Sequence, residues 1–507
     1  MENLVAGFAE ALQWTNLIAC AIGVLVGTLV GVLPGLGPVA TMAILLPFTF
    51  TMSPTAGIIM MAGVYYGAMY GGSTTSILFR TPGEAASILT SIDGYELAKK
   101  GRAGAALAIS TIGSFVAGTI GVVGLMLFAP ALARVAVAFG PGELLLVAFA
   151  ALLLLANILG GSASRNLLIA LVGVALGTVG LDSFSGASRY TFGFSPLLGG
   201  FDLVAAIMGL YGISELISIA RNPHGAKRVA SVRLRDLYPS KDEMKRSTGP
   251  ILRGGVIGFG VGLTPGPAAV LAPLVSYFVE RRLSKTPERF GKGAIEGVAS
   301  AESANNSACS GALVPLLALG IPMTPAAAVL MSGFMIHGVA PGPLLMEKHA
   351  LLFWGVVASM YIGNALLLVL NLPLVGVFAR AMMTPFPILV PGIFVLCMVG
   401  AYSINNSIFD VTVMVLFGLL GDWMRRRGLD PMPLVLGMVL GPIVEASLRQ
   451  SLILGSGSIG WFFGSNLRAV LFVLSIFLVL YSVVKDIRKP AKPAAGPAAD
   501  EKTGLHA

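Results

Sequence analysis

Two short polar stretches interrupt long apolar sequence, and they hold the residue types that could bind a small anion or a hard cation. The first runs from Tyr70 to Glu84 as YGGSTTSILFRTPGE, collecting Gly72, the hydroxyls of Ser73, Thr74 and Thr75, and the ionisable Arg80 and Glu84. The second runs from Ala301 to Gly311 as AESANNSACSG, with Glu302, Asn305, Asn306 and Ser307. Hydroxyls and amides surrounded by hydrocarbon need partners. Helix N-termini at such places present free N–H groups to an anion. Ser, Thr and Asn oxygens equally suit sodium, which places a candidate cation near Thr74, Thr75, Asn305 and Asn306. Arg80, Glu84 and Glu302 are ionisable groups at expected membrane depth, where function is the default reading, here as ion-coupling or charge partners.

Other chemistry finds little support. There is no GxSxG, HExxH, Walker A or EF-hand pattern, so neither a local catalytic centre nor ATP hydrolysis by this chain is expected. An intramembrane enzyme would need Ser73 or Ser307 as nucleophile, and no His or Lys lies nearby in sequence to activate either. Four histidines form no cluster, and Cys20, Cys309 and Cys397 sit apart inside apolar stretches, so neither a metal site nor a disulfide framework follows. Asn405, Asn406, Asp410 and Arg449 read as loop or interface residues. No cofactor is expected beyond a coupling ion, sodium or proton.

The elements that must position these residues are membrane helices. The chain has 507 residues, 56% hydrophobic and 11% charged, with a mean hydropathy of +0.86. Soluble domains carry about 25% charge, and several stretches here approach the roughly 20 apolar residues that cross a bilayer. An all-α polytopic membrane protein of about 10–14 segments follows. The apolar stretches are too continuous for the alternating strands of an outer-membrane barrel. The net charge of +9 lies in short loops rather than on one face, so nucleic acid is not an expected partner. The first span lacks the basic leader of a signal peptide and is expected to remain in the mature protein.

Residues 221 to 249 form a polar midpoint with eight Lys/Arg against three Asp/Glu, expected to be a cytoplasmic linker. It divides a first membrane repeat, residues 1–220, from a second, residues 250–484, which is followed by a tail from 485 to 507 expected to be disordered and cytoplasmic. One choice of sides gathers 27 of the 33 Lys/Arg together, leaving Arg80, Arg134, Arg189, Lys348, Arg449 and Arg468 scattered. That choice puts the N-terminus outside and the C-terminus in the cytoplasm.

The pattern GxxxGxxxGxxPG occurs at Gly23, Gly27, Gly31, Pro34, Gly35 and again at Gly254, Gly258, Gly262, Pro265, Gly266, at a constant offset of 231. The same offset carries Thr74 onto Asn305, which suggests that the two polar stretches are repeat mates. Loops at equivalent places differ in charge, basic at 281–292 and neutral near 50–55. The halves therefore read as inverted-topology repeats, an architecture of secondary transporters whose broken helices meet near the midplane. Pro34 and Pro265 should interrupt short hairpins, because proline removes a backbone donor and irregular backbone is tolerated at membrane depth only where it is buried or lines a cavity. The spaced glycines read first as close-packing positions.

These motifs, GVLPGLGP, YGGSTTSILFRTPGEAAS, SIDGYELAKKGRAGAAL, FGKGAIEGVASAESANNSACSGALVPLLALGIP, HGVAPGPLL and GAYSINNSIFD, together resemble the large membrane subunit of the tripartite tricarboxylate transporters, from about residue 15 to 470. The resemblance implies a bacterial inner-membrane carrier that works with a small membrane subunit and a periplasmic solute-binding protein. It maps the family's signature loops onto Pro34, Gly35, Gly37, Gly72, Ser73, Thr74, Thr75, Pro82, Gly83, Pro265, Gly266, Glu302, Asn305, Asn306 and Pro322, with Ser307 beside them. Two departures stand out: GLTPGPAA lacks the GLGP continuation, and GIPM carries Met323. The expected function is uptake of a small tricarboxylate or dicarboxylate on a sodium or proton gradient, by alternating access with an elevator-like option. A stand-alone carrier or channel is the alternative within transport.

Overall fold

The computed structural model describes residues 2–33, 37–80, 84–159, 162–182, 184–221, 238–371, 373 and 386–488. Pro34, Gly35, Pro82 and Gly83, most of the central linker and the tail beyond Arg488 lie outside the described residues. The structure is almost wholly helical, with one two-residue hairpin, β1 (Gly180–Leu181) and β2 (Ser188–Arg189). Six helices among the described residues are long and apolar enough to cross a bilayer. Leu127, Phe128, Leu168, Val369 and Leu416 are exposed on the outside of the bundle, as a protein dissolved in lipid requires.

In the first half, α1 (Glu2–Ala11) precedes α2 (Trp14–Val32), α3 (Pro38–Thr49) and α4 (Pro54–Phe79), and α5 (Ile88–Lys99) leads into α6 (Ala103–Ala136), α7 (Pro141–Ile158) and α8 (Ala163–Gly177). Residues 203 to 221 form α9 (Leu203–Ile207), a π-helical turn and α10 (Ser214–Arg221). The second half runs through α11 (Lys241–Gly262), α12 (Ala268–Leu283), α13 (Ile295–Leu319), α14 (Pro325–Ile336), α15 (Leu345–Lys348), α16 (Ala350–Asn371), α17 (Phe386–Asn405), α18 (Ile408–Arg426), α19 (Met432–Leu454) and α20 (Asn466–Arg488). Helix α11 begins inside the polar midpoint, where Ser240 and Glu243 exchange side-chain and backbone hydrogen bonds of 3.2 and 2.7 Å. Such a capping box fixes a helix start even in polar sequence.

The spaced glycines bring helices into backbone contact. A Cβ on Gly23, Gly27 or Gly31 would lie 2.2, 2.5 and 2.2 Å from the carbonyl oxygens of Met60, Val64 and Ala68 on α4. In the second half, Gly258 and Gly262 would meet the carbonyls of Ala304 and Ala308 on α13 at 2.3 and 2.5 Å. Both helix pairs thus use the same device, with α2 on α4 and α11 on α13.

The registers differ, and this corrects one expectation. Gly23 faces Met60 while Gly254 faces Ser300, so α4 and α13 correspond at an offset of 240 rather than 231. Their ends agree: α4 stops at Arg80 and α13 at Gly320, both with left-handed backbone. Pro82 and Pro322 then stand two residues beyond. Most of the nine extra residues fall in the connection between α12 and α13, which is longer than that between α3 and α4. Thr74 and Asn305 are therefore not repeat mates.

Candidate functional site

The polar stretches lie within helices: Ser73, Thr74 and Thr75 on α4, Glu302 to Ser307 on α13. The two helices meet, and their polar residues join across the contact despite the shifted register. Glu302 is fully buried and accepts hydrogen bonds from the Ser73 and Thr90 hydroxyls. Asn305 donates through Nδ2 to Glu84 Oε1 at 3.2 Å. Ser76 donates to Ser87 at 2.8 Å, and Ser87 donates to the Glu84 carbonyl at 2.9 Å. Carboxyl groups from both halves thus each have hydrogen-bond donors at the contact of α4 with α13, as burial of such groups demands.

Gly72 makes room for this arrangement, since a Cβ there would stand 2.6 Å from Glu84 Cγ. Thr75 donates to the Gly72 carbonyl at 3.1 Å. Asn306 turns the other way, donating to Ser114 on α6 at 2.6 Å. Asn305 and Asn306 thus face different neighbours. Asn305 Oδ1, Asn306 Oδ1 and Ser307 Oγ are buried without a hydrogen-bond partner among the described residues, so acceptor capacity remains in the middle of α13.

Beside Glu84 lies a cavity of about 450 Å³. Its walls come from four helix starts with the residues before them: Gly37–Val39 at α3, Glu84–Ala86 ahead of α5, Gly266–Val270 at α12, and Thr324–Ala326 at α14. Tyr65 and Met69 of α4 and Glu215 of α10 complete it. Gly266 has φ +126°, a conformation that favours glycine, and its N–H bonds the Met323 carbonyl at 3.0 Å. Pro38 and Pro325 start α3 and α14 at this wall, positions where a missing N–H costs nothing.

Of the residues singled out from sequence, Glu84, Gly266 and Gly37 reach the cavity. Ser73, Thr74, Thr75, Glu302, Asn305, Asn306 and Ser307 are buried behind that wall. Pro265 is buried next to Gly266. Arg80 does not join the network: it is exposed, with its guanidinium 5.9 Å from the Tyr95 ring centroid. Sequence reading missed Thr90, Ser87, Tyr65, Thr324 and Glu215. Thr90 and Ser87 sit just past the TPGE turn, and that proximity was the available signal. Glu215, ion-paired with Arg425 of α18, had none.

Long apolar helices around buried polar residues define a polytopic membrane protein. The comparisons with known proteins agree. The model of the tripartite tricarboxylate transporter TctA family matches residues 17–436. A protein of Agrobacterium vitis described as an uncharacterized 52.8 kDa protein in the TAR-I ttuC' 3' region is 44% identical over 488 residues, covering 96% of this chain and 97% of that one. A second from the same organism, described as an uncharacterized protein in the TAR-II ttuC' 3' region, is 44% identical over 228 residues, 45% of this chain and 94% of its own. No solved structure matches. The chain belongs to the TctA family and is a membrane component of the tripartite tricarboxylate transporter type.

Proposed function

We propose that this chain is the transmembrane carrier of a three-part uptake system for small carboxylates of the tricarboxylate and dicarboxylate class. It works with a small membrane subunit and a periplasmic binding protein in a bacterial inner membrane, on a sodium or proton gradient. The observation that carries the reading is the cavity framed by Gly37–Val39 and Gly266–Val270. Two hairpin ends, one from each half, flank a single polar site, as alternating access requires.

Charged contacts support the proposed orientation and the inverted halves. Lys100 reaches the Lys292 carbonyl at 2.5 Å, Arg102 pairs with Glu243, and Arg246 pairs with Glu296 at 2.7 Å. All belong to loops assigned to the cytoplasm by their charge. At the other end Arg449 pairs with Asp182 at 2.9 Å, Arg189 pairs with Glu445, and Asn405 bonds Asp410 at 2.9 Å. The backbone-close glycine contacts would allow sliding of an elevator type.

The test is uptake of labelled citrate and other small carboxylates into proteoliposomes holding this chain and its small subunit, with binding protein and ion gradients switched separately. Accumulation that needs both is the expected result. Accumulation without binding protein would favour a stand-alone carrier, and absence of uptake for every carboxylate would remove the carrier reading. Asn305→Ala is expected to insert normally and lose gradient-driven uptake; normal uptake would detach the α13 network from transport.

A further inference from the structure

The cavity wall carries an unbalanced charge problem. Its two acidic residues are Glu84 and Glu215, and no Lys, Arg or His lines it among the described residues. Glu215 is paired with Arg425. Glu84 is nine-tenths buried and has no ion pair among the described residues. Facing it are Tyr65 and Gly72 from α4, Ser87 from its own turn, and Asn305, Glu302 and Cys309 from α13. None is a cation, and Glu302 is a second carboxyl. A carboxylate ligand entering this cavity therefore meets a like charge with nothing nearby to offset it, which strongly favours keeping one of the two groups protonated.

Asn305 is built to serve either state of Glu84. Its Nδ2 donates to Glu84 Oε1, as an ionised carboxylate requires, while its Oδ1 is buried with no partner among the described residues. Amide N and O differ by a half-turn of the side chain. Turned over, Oδ1 occupies the Nδ2 position and accepts a hydrogen bond from the hydroxyl of neutral Glu84. The pair is a two-state element that binding of an anion would bias.

We propose, resting on the carrier reading above, that Glu84 carries the coupling proton: it is protonated while a carboxylate occupies the cavity and ionises once the ligand has left. A proton from the outer water joins a Glu84 carboxylate oxygen before or with the ligand, and the same proton leaves to the cytoplasmic water after release. Ligand and proton bind with reciprocal linkage. Where Glu84 is ionised in the empty carrier, affinity for the ligand should fall up to tenfold for each unit rise in pH.

Two measurements on the reconstituted complex of this chain and its small subunit test this. The first labels wild-type protein with dicyclohexylcarbodiimide, which attacks protonated carboxyls in apolar surroundings, between pH 5.5 and 8.5, with adducts located by mass spectrometry. An adduct on Glu84 that declines as pH rises is expected, and its absence at every pH overturns the proposal. The second follows labelled citrate, delivered by binding protein, with a pH dye inside the vesicles. Wild type should acidify the lumen with each burst of uptake, and the pH dependence of citrate exchange should flatten in E84Q. Citrate uptake driven by sodium with no acidification overturns the proton assignment and leaves the carrier reading intact. Lack of uptake for citrate and every other carboxylate overturns the carrier reading, and this proposal with it.

Discussion

At the scale of single residues, the site depends on what is left out as much as on what is present. Gly72 has no side chain, and Glu84 lies where one would be. Gly72→Ala should push the flexible Glu84 side chain aside without disturbing the helix, because alanine is the better helix former. Losing the Asn305–Glu84 hydrogen bond is worth about 1 kcal/mol, so uptake in proteoliposomes should drop by roughly fivefold with normal insertion. Unchanged uptake would mean that Glu84 need not sit against α4. Glu302 shows the complementary case, where two hydroxyl donors from separate elements hold one buried carboxyl.

At the scale of elements, the glycine stripes and the ion-paired hairpin make separate predictions. A Cβ on Gly258 would lie only 2.3 Å from the Ala304 carbonyl oxygen, whereas one on Gly260, two residues on, meets nothing within 4 Å. Gly258→Val should cost about 3 kcal/mol or more through overpacking and reduce the folded peak in detergent size exclusion, while Gly260→Ala should be neutral or mildly stabilising. Equal behaviour of the two would refute the packing role. The β1–β2 hairpin is held by Asp182, whose carboxyl is kept well below its usual range by the Ser185 hydroxyl, the Phe184 N–H and the Arg449 guanidinium. A depressed carboxyl pKa adds stability that is present above the unfolded value, about 3.9, and lost as pH falls through the folded value. Resistance of the hairpin to pepsin should accordingly fade below about pH 4, and in Asp182→Asn it should be weaker at pH 5 and no longer vary with acid. A wild-type hairpin equally resistant at all acid pH values would contradict this.

For the whole molecule, the testable quantity is sidedness. The native cysteines Cys20, Cys309 and Cys397 are buried, so single exposed cysteines can report topology in their absence. Ser188→Cys in the hairpin should react with an impermeant maleimide added outside intact cells. Lys285→Cys, after α12, should react only once the membrane is opened. The reverse pattern would turn the protein over and move the basic loops outside, against their charge.

The sequence by itself determined where nearly every helix lies. The apolar stretches of the sequence at 103–133, 143–160 and 267–280 coincide with α6, α7 and α12, because the bilayer imposes length and hydropathy on each span locally. Its ordered motifs were enough to mark the family, and the glycine spacing was enough to mark close packing. The short α5 and the start of α11 escaped notice because neither rests on apolar length: α5 is packed against α4 and α13, and α11 starts at the Ser240–Glu243 capping box. What only the tertiary structure decided is which polar residues meet. Constant spacing suggested that Thr74 and Asn305 are equivalent, yet a longer connection before α13 shifts the second half by nine residues. Glu302 therefore meets Ser73 and Thr90, and Asn305 meets Glu84, through the contact of α4 with α13. Such pairings join residues over two hundred positions apart. They depend on helix crossing and register, which no local pattern encodes.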